Sequence, residues 1–129
     1  MAEWRESFHV QPMIHQNPIP TAARTGNMLY TSVIAGRDLE SGKVPESAEQ
    51  QAVNCFAILR KILDTAGATP GDVAMVNVYL KDNAYREHVN KPWVEMFPDE
   101  HSRPARHSFI DDNFSGVQIQ AVAVVQQRS

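Results

Sequence analysis

The chain has 129 residues, with 12 basic against 15 acidic side chains, a formal net charge of −3 and a pI near 5.9. That length suits a single domain over 1–129, and the acidic balance argues against a surface that tracks nucleic-acid phosphates. Cys55 is the only cysteine, which excludes an internal disulfide, and no stretch approaches the roughly 20 apolar residues of a membrane span.

The opening Met1-Ala2-Glu3-Trp4-Arg5-Glu6-Ser7 lacks the apolar core of a secretion signal, so a cytoplasmic location is expected. Residues 1–16 read as an extra strand or a loose arm. Asn17-Pro18-Ile19-Pro20 is a stiff connector, because proline fixes its own backbone and extends the residue before it. Met28 to Val33, between Gly26-Asn27 and Gly36, has the length of a buried strand, and Asp38 to Gly42 reads as a turn. Ser47-Ala48-Glu49-Gln50 fits a capping box. Ala52, Phe56, Leu59, Leu63 and Ala66 then recur at helical spacing, and Gly67 closes the helix.

Thr69-Pro70-Gly71-Asp72 leads into an alternating segment, Val73 to Lys81, in which Ala74, Val76, Val78 and Leu80 share one face and Val73, Met75, Asn77 and Tyr79 the other. Both faces are largely apolar. Helices on one side would leave the second face to meet another subunit. Asp82-Asn83 caps a second helix carrying Tyr85, Val89, Trp93 and Met96, which either kinks at Pro92 or restarts there. The order of elements points to an α+β domain with helices packed on one face of a sheet.

Chemistry is concentrated near the C-terminus. Arg103-Pro104-Ala105-Arg106-His107-Ser108-Phe109-Ile110 is followed by the strand-like run from Val117 to Val125. A guanidinium at the start of one strand, beside polar groups on another, can grip a small carboxylate at both oxygens. His107 is of a residue type that often serves as acid or base, but it alternates away from the face of Arg106 and Ser108. His9, His15, His88 and His101 lack the short paired spacings of a metal site, and Cys55 reads as a small core residue. No metal is expected.

In their order and spacing, several markers carry a family resemblance over nearly all of the chain from about Asn17. They are Gly26-Asn27 before a strand with Ser32, Ala66-Gly67 closing a helix, and Asp72-Val73 opening Val78-Tyr79-Leu80-Lys81-Asp82. Val89-Asn90, Arg103-Pro104-Ala105-Arg106 and Ala121-Val122-Ala123 complete the set. The chain resembles the reactive intermediate deaminase (RidA/YjgF) family. The resemblance implies a chorismate-mutase-like fold, a mixed sheet with two helices on one face, and homotrimers with clefts between neighbouring subunits. It also implies cofactor-free hydrolysis of 2-imino acids or their enamine tautomers, such as an aminomuconate-like enamine, to 2-oxo acids and ammonia.

By that resemblance Arg106 binds the substrate carboxylate, and Ser32, Asn90 and Ser108 line the cleft. Three positions depart from the family pattern. Gln120 stands where a catalytic glutamate is usual, Ile19 where a tyrosine is usual, and Val33 where a glycine follows the cleft serine. The expected catalytic pair is therefore Arg106, holding the carboxylate, and Gln120, orienting water without the capacity to act as a base. The alternative is a non-catalytic trimer whose clefts bind a 2-oxo acid or related carboxylate as a sensor or scavenger. Each residue also has a plainer reading: a surface ion pair for Arg106, a backbone partner for Ser32, a cap or interface bridge for Asn90, and a solvated strand position beside Gln118 for Gln120.

Overall fold

The computed structural model describes residues 4–126. Along them run β1 (Arg5–Phe8), β2 (Ala22–Thr25), β3 (Met28–Thr31), β4 (Ile34–Ala35), α1 (Ala48–Thr65), β5 (Val73–Leu80), α2 (Arg86–Met96), β6 (Ala105–Ile110) and β7 (Val117–Val124). The strands form one mixed sheet in the order β1-β2-β3-β7-β5-β6, with β4 beside β7 beyond the end of β3. Only β5 and β6 run parallel, because α2 carries the chain back to the starting end of the sheet between them.

Local chemistry accounts for each helix. The Ser47 hydroxyl accepts from the Gln50 amide at 3.1 Å and starts α1. The capping box is only half formed, since the Gln50 side chain donates to Asn54 Oδ1 rather than returning to Ser47. At the other end Gly67 adopts φ 73°, and the Ala68 amide reaches back to the Leu63 carbonyl at 2.8 Å, as in a Schellman motif. Between these ends Ala52, Cys55, Phe56, Leu59, Ile62 and Leu63 form the buried stripe. Their larger members each contribute about 1.5–3 kcal/mol by leaving water. Asp82 caps a short 3₁₀ turn, Asn83–Tyr85, that feeds directly into α2. Rather than restarting at Pro92, α2 stays continuous through it, with Pro92 buried beside Val89, Trp93 and Met96. Phe56 meets Trp93 edge to face at 6.4 Å, joining the two helices.

Both helices cover the same face of the sheet. Val76, Val78, Leu80, Val117, Ile119, Ala121 and Ala123 are buried, whereas Met75, Asn77, Tyr79, Gln118, Gln120 and Val122 between them are only partly covered. Among the described residues no helix is long and apolar enough to cross a membrane.

Two expectations change and one open alternative is decided. The strand expected over Met28 to Val33 breaks at Ser32-Val33, because the Ser32 amide donates to the Thr21 carbonyl and its hydroxyl to the Pro20 carbonyl. A register shift between Val73 and Met75 turns Val73 into the core and leaves Ala74 exposed, so these two residues exchange their expected faces. The extra strand allowed for in residues 1–16 is present as β1, paired antiparallel with β2, while residues 1–3 lie outside the described residues.

Candidate functional site

Two groups of polar residues stand out, one on each side of the sheet. The first lies at the edge strand β6. Arg106 is paired in register with Val76, and Ser108 with Val78, so both side chains share the helix-covered face. The Arg106 Nη1 donates to Asn90 Oδ1 at 2.9 Å, and its guanidinium carbon lies 5.2 Å from the centre of the Trp93 ring. Asn90 and Trp93 are three residues apart on α2 and therefore lie on one side of that helix. Burial, and secondarily the positive charge of Arg86, lower the Arg106 pKa from its ordinary value. The guanidinium nevertheless stays charged at neutral pH. Among the described residues no carboxylate approaches it within 4 Å, since the sole ion pair at that distance joins His101 to Glu100.

The second group lies around the break between β3 and β4. Ile19 and Val33 are exposed there, beside Ser32 and its Pro20 partner. Gln120 projects from the uncovered face of β7 and is tied down on three sides. Its Oε1 accepts from Asn77 Nδ2 at 3.2 Å and from Tyr79 Oη at 3.4 Å, and its Nε2 donates to the Thr31 carbonyl at 3.2 Å. The carbonyl expected to orient water is thus already engaged twice, leaving one N–H as the free polar function of this side chain.

The structure joins Arg106 to Asn90 and puts Ser108 on their face. Ser32 follows Thr31, whose carbonyl holds Gln120, and Ile19 and Val33 flank the bonded pair Pro20 and Ser32 along the chain. Arg106 and Gln120 do not meet within one chain, because β5 separates their strands and they occupy opposite faces of the sheet. His107 lies on the face opposite Arg106, stacked at 4.2 Å on Phe109. Cys55 is fully buried and its thiol is pushed up to about 12 by that burial. Among the described residues no three His, Cys, Asp or Glu side chains gather into a metal-holding group.

Trp93, Asn77 and Tyr79 are contacts that the sequence reading did not assign to the site, and Arg86 acts on Arg106 through its charge. For Arg86 and Trp93 the signal was present, as helical spacing of −4 and +3 from Asn90. Two cavities of about 190 and 220 Å³ lie elsewhere, one between α1 and α2 near Arg60 and Glu95, the other near Arg24 and Ala66.

Residues 14–124 match the protein family described as Endoribonuclease L-PSP. The 3-aminoacrylate deaminase RutC of Acinetobacter baylyi is 31% identical over 91 residues, covering 70% of this chain and 71% of that protein. The fold is similar to the crystal structure of the YjgF gene product from E. coli, at a TM-score of 0.77 and 25% identity over 87% of this chain and 91% of that one. It is also similar to RidA from Psychrobacter, at a TM-score of 0.78 and 24% identity over 87% and 92% of the two chains.

Proposed function

The chain belongs to the Endoribonuclease L-PSP family, the RidA/YjgF proteins, and from that membership we propose that it hydrolyses a small carboxylate-bearing 2-imino acid or enamine to the 2-oxo acid and ammonia. The observation that carries this reading is Arg106: a half-buried, oriented guanidinium with no carboxylate of its own among the described residues. Leaving such a cation unpaired is costly unless an anion completes it. Deamination also accords with the name of the A. baylyi relative.

In the proposed mechanism Arg106 takes the substrate carboxylate while Asn90 and the Trp93 ring fix its fork. Water attacks the imine carbon, its proton passes to the imine nitrogen, and the resulting carbinolamine collapses to C=O with loss of ammonia. An activated imine needs little more than orientation, which can supply much of the acceleration. Gln120 contributes its free N–H as a donor and no base. Because Arg106 and Gln120 lie on opposite faces, a site using both takes Arg106 from one copy and the Ser32, Val33 and Gln120 group from its neighbour. We infer a homotrimer with such shared clefts, acting in the cytoplasm.

The test is ammonia release from freshly generated 2-iminopropanoate or 2-iminobutanoate. Wild-type protein should accelerate it, and Arg106→Ala should lose about 10²-fold or more in kcat/KM. Equal rates for the two proteins, or a wild-type rate no faster than buffer, overturn the reading. The engaged amide of Gln120 favours a second reading, a non-catalytic binder of 2-oxo acids. Binding of 2-oxobutanoate that depends on Arg106, without any ammonia release, would identify it.

A further inference from the structure

The first turns of α2 carry more positive charge toward Arg106 than gripping one carboxylate requires. Arg86, Asn90 and Trp93 stand at positions i, i+4 and i+7, so one stripe of the helix is directed toward the edge strand β6. Asn90 and Trp93 touch the Arg106 guanidinium directly. Arg86 lies one turn before Asn90, and its Nε donates to Asn83 Oδ1 at 2.6 Å. That bond holds the stem against the 3₁₀ turn and leaves both terminal NH₂ groups available. The charge of Arg86 is felt at Arg106, whose pKa it helps to lower.

Like Arg106, Arg86 has no carboxylate within 4 Å among the described residues. The acidic neighbours do not neutralise it. Asp82 Oδ1 accepts from the Ala84 amide, and Glu87 is the next helical position, turned about 100° away. In a chain of net charge −3 this is a local concentration of two guanidinium groups with one neutral hydrogen-bonding side chain between them. Two cations so placed repel one another, and a ligand with two negative groups relieves both.

We propose that Arg86 is a second anion-binding residue of the site and that the favoured ligand is dicarboxylic, with its 2-imino or 2-oxo carboxylate on Arg106 and its distal carboxylate on Arg86. The proposal rests on the reading of Arg106 as the carboxylate-binding residue and narrows its substrate class. Arg86 is a specificity-determining residue on this account, and the stripe on α2 sets the distance between the two anionic groups.

Calorimetric titration of the full chain at low ionic strength with 2-oxobutanoate and 2-oxoglutarate tests it. Wild-type protein should bind 2-oxoglutarate about tenfold tighter, which corresponds to about 1.4 kcal/mol. Arg86→Gln should bring the ratio of the two affinities close to one, by weakening 2-oxoglutarate several-fold more than 2-oxobutanoate, and Arg86→Lys should retain part of the preference. Equal wild-type affinities overturn the proposal, as does an Arg86→Gln variant that weakens both ligands alike. Arg106→Gln separates the two levels. If neither acid binds the wild type, or Arg106→Gln binds both unchanged, the carboxylate-binding reading itself falls and the narrower proposal falls with it.

Discussion

Gln120 shows how one side chain can fit its surroundings and limit the chemistry there. Two donors, Asn77 Nδ2 and Tyr79 Oη, meet its oxygen, and one acceptor, the Thr31 carbonyl, meets its nitrogen. An amide satisfies that arrangement, whereas a carboxylate does not. Gln120→Glu should therefore lower unfolding stability by about 1–3 kcal/mol, because a carboxylate oxygen replaces the donor facing Thr31. It should at the same time raise ammonia release by up to about 10²-fold by supplying a base. Urea unfolding and the imine assay measure the two effects, and a variant that is both fully stable and inactive would contradict this account of position 120. Cys55 gives a pH prediction. Its thiol is raised to about 12 in the folded chain, against about 8.5 when unfolded. Between those values the unfolded chain loses its proton first, so stability falls as pH rises, by about 1.4 kcal/mol per pH unit. The stability difference between wild type and Cys55→Ala should accordingly shrink between pH 8 and pH 10. A constant difference would show that the thiol titrates normally.

Among the elements, α1, β5, α2 and β7 were legible because their burial follows one clear period. What escaped was set by interactions that no period records. The break after Thr31 depends on where the Ser32 amide and hydroxyl find acceptors on the Pro20-Thr21 segment. The exchange of Val73 and Ala74 depends on a bulge set by the pairing with β7. Arg106 was singled out by residue type and Asn90 through the family resemblance, and the two meet, but Trp93 looked like an ordinary core aromatic because its spacing suits both a core position and a contact with Arg106. The entry into β7 has a similar hidden dependence. Gln51, buried on α1, accepts from the Val117 amide at 2.8 Å and donates to the Pro45 carbonyl at 2.7 Å. Gly116, at φ 150°, lies so close that an added Cβ would collide with the Gln51 amide. Gly116→Ala should therefore cost about 2–4 kcal/mol in strain and a lost buried hydrogen bond. Gly71→Ala, which meets only the Thr69 hydroxyl at 3.5 Å, should stay within about 0.5 kcal/mol of wild type. Equal losses in urea unfolding would refute the role given to Gln51.

At the scale of the whole molecule, the sheet has one covered face and one open face with substantial apolar surface. Tyr30, Val124 and Phe109 are 47%, 40% and 39% exposed there, and Tyr79 and Phe109 stack at 5.3 Å beside them. Such a face is costly to leave in water and suits a second copy. The two halves of the candidate site reinforce that argument, since Arg106 belongs to the helix-covered side and Gln120 to the open one. An interface joining unlike halves is heterologous, and it closes into a ring when each copy offers one of each. The proposed sharing has a consequence that a site contained in one chain would not. Arg106→Ala disables one half, and Val33→Trp obstructs the other without touching Arg106. Each variant alone should release little ammonia above buffer. When the two are unfolded together and refolded as an equal mixture, roughly a quarter of the clefts combine an intact Arg106 from one copy with an open Val33 side from its neighbour, and activity should return in about that proportion. Mixed oligomers can be verified by differential tagging. If they form and activity does not return, the two halves do not share a cleft.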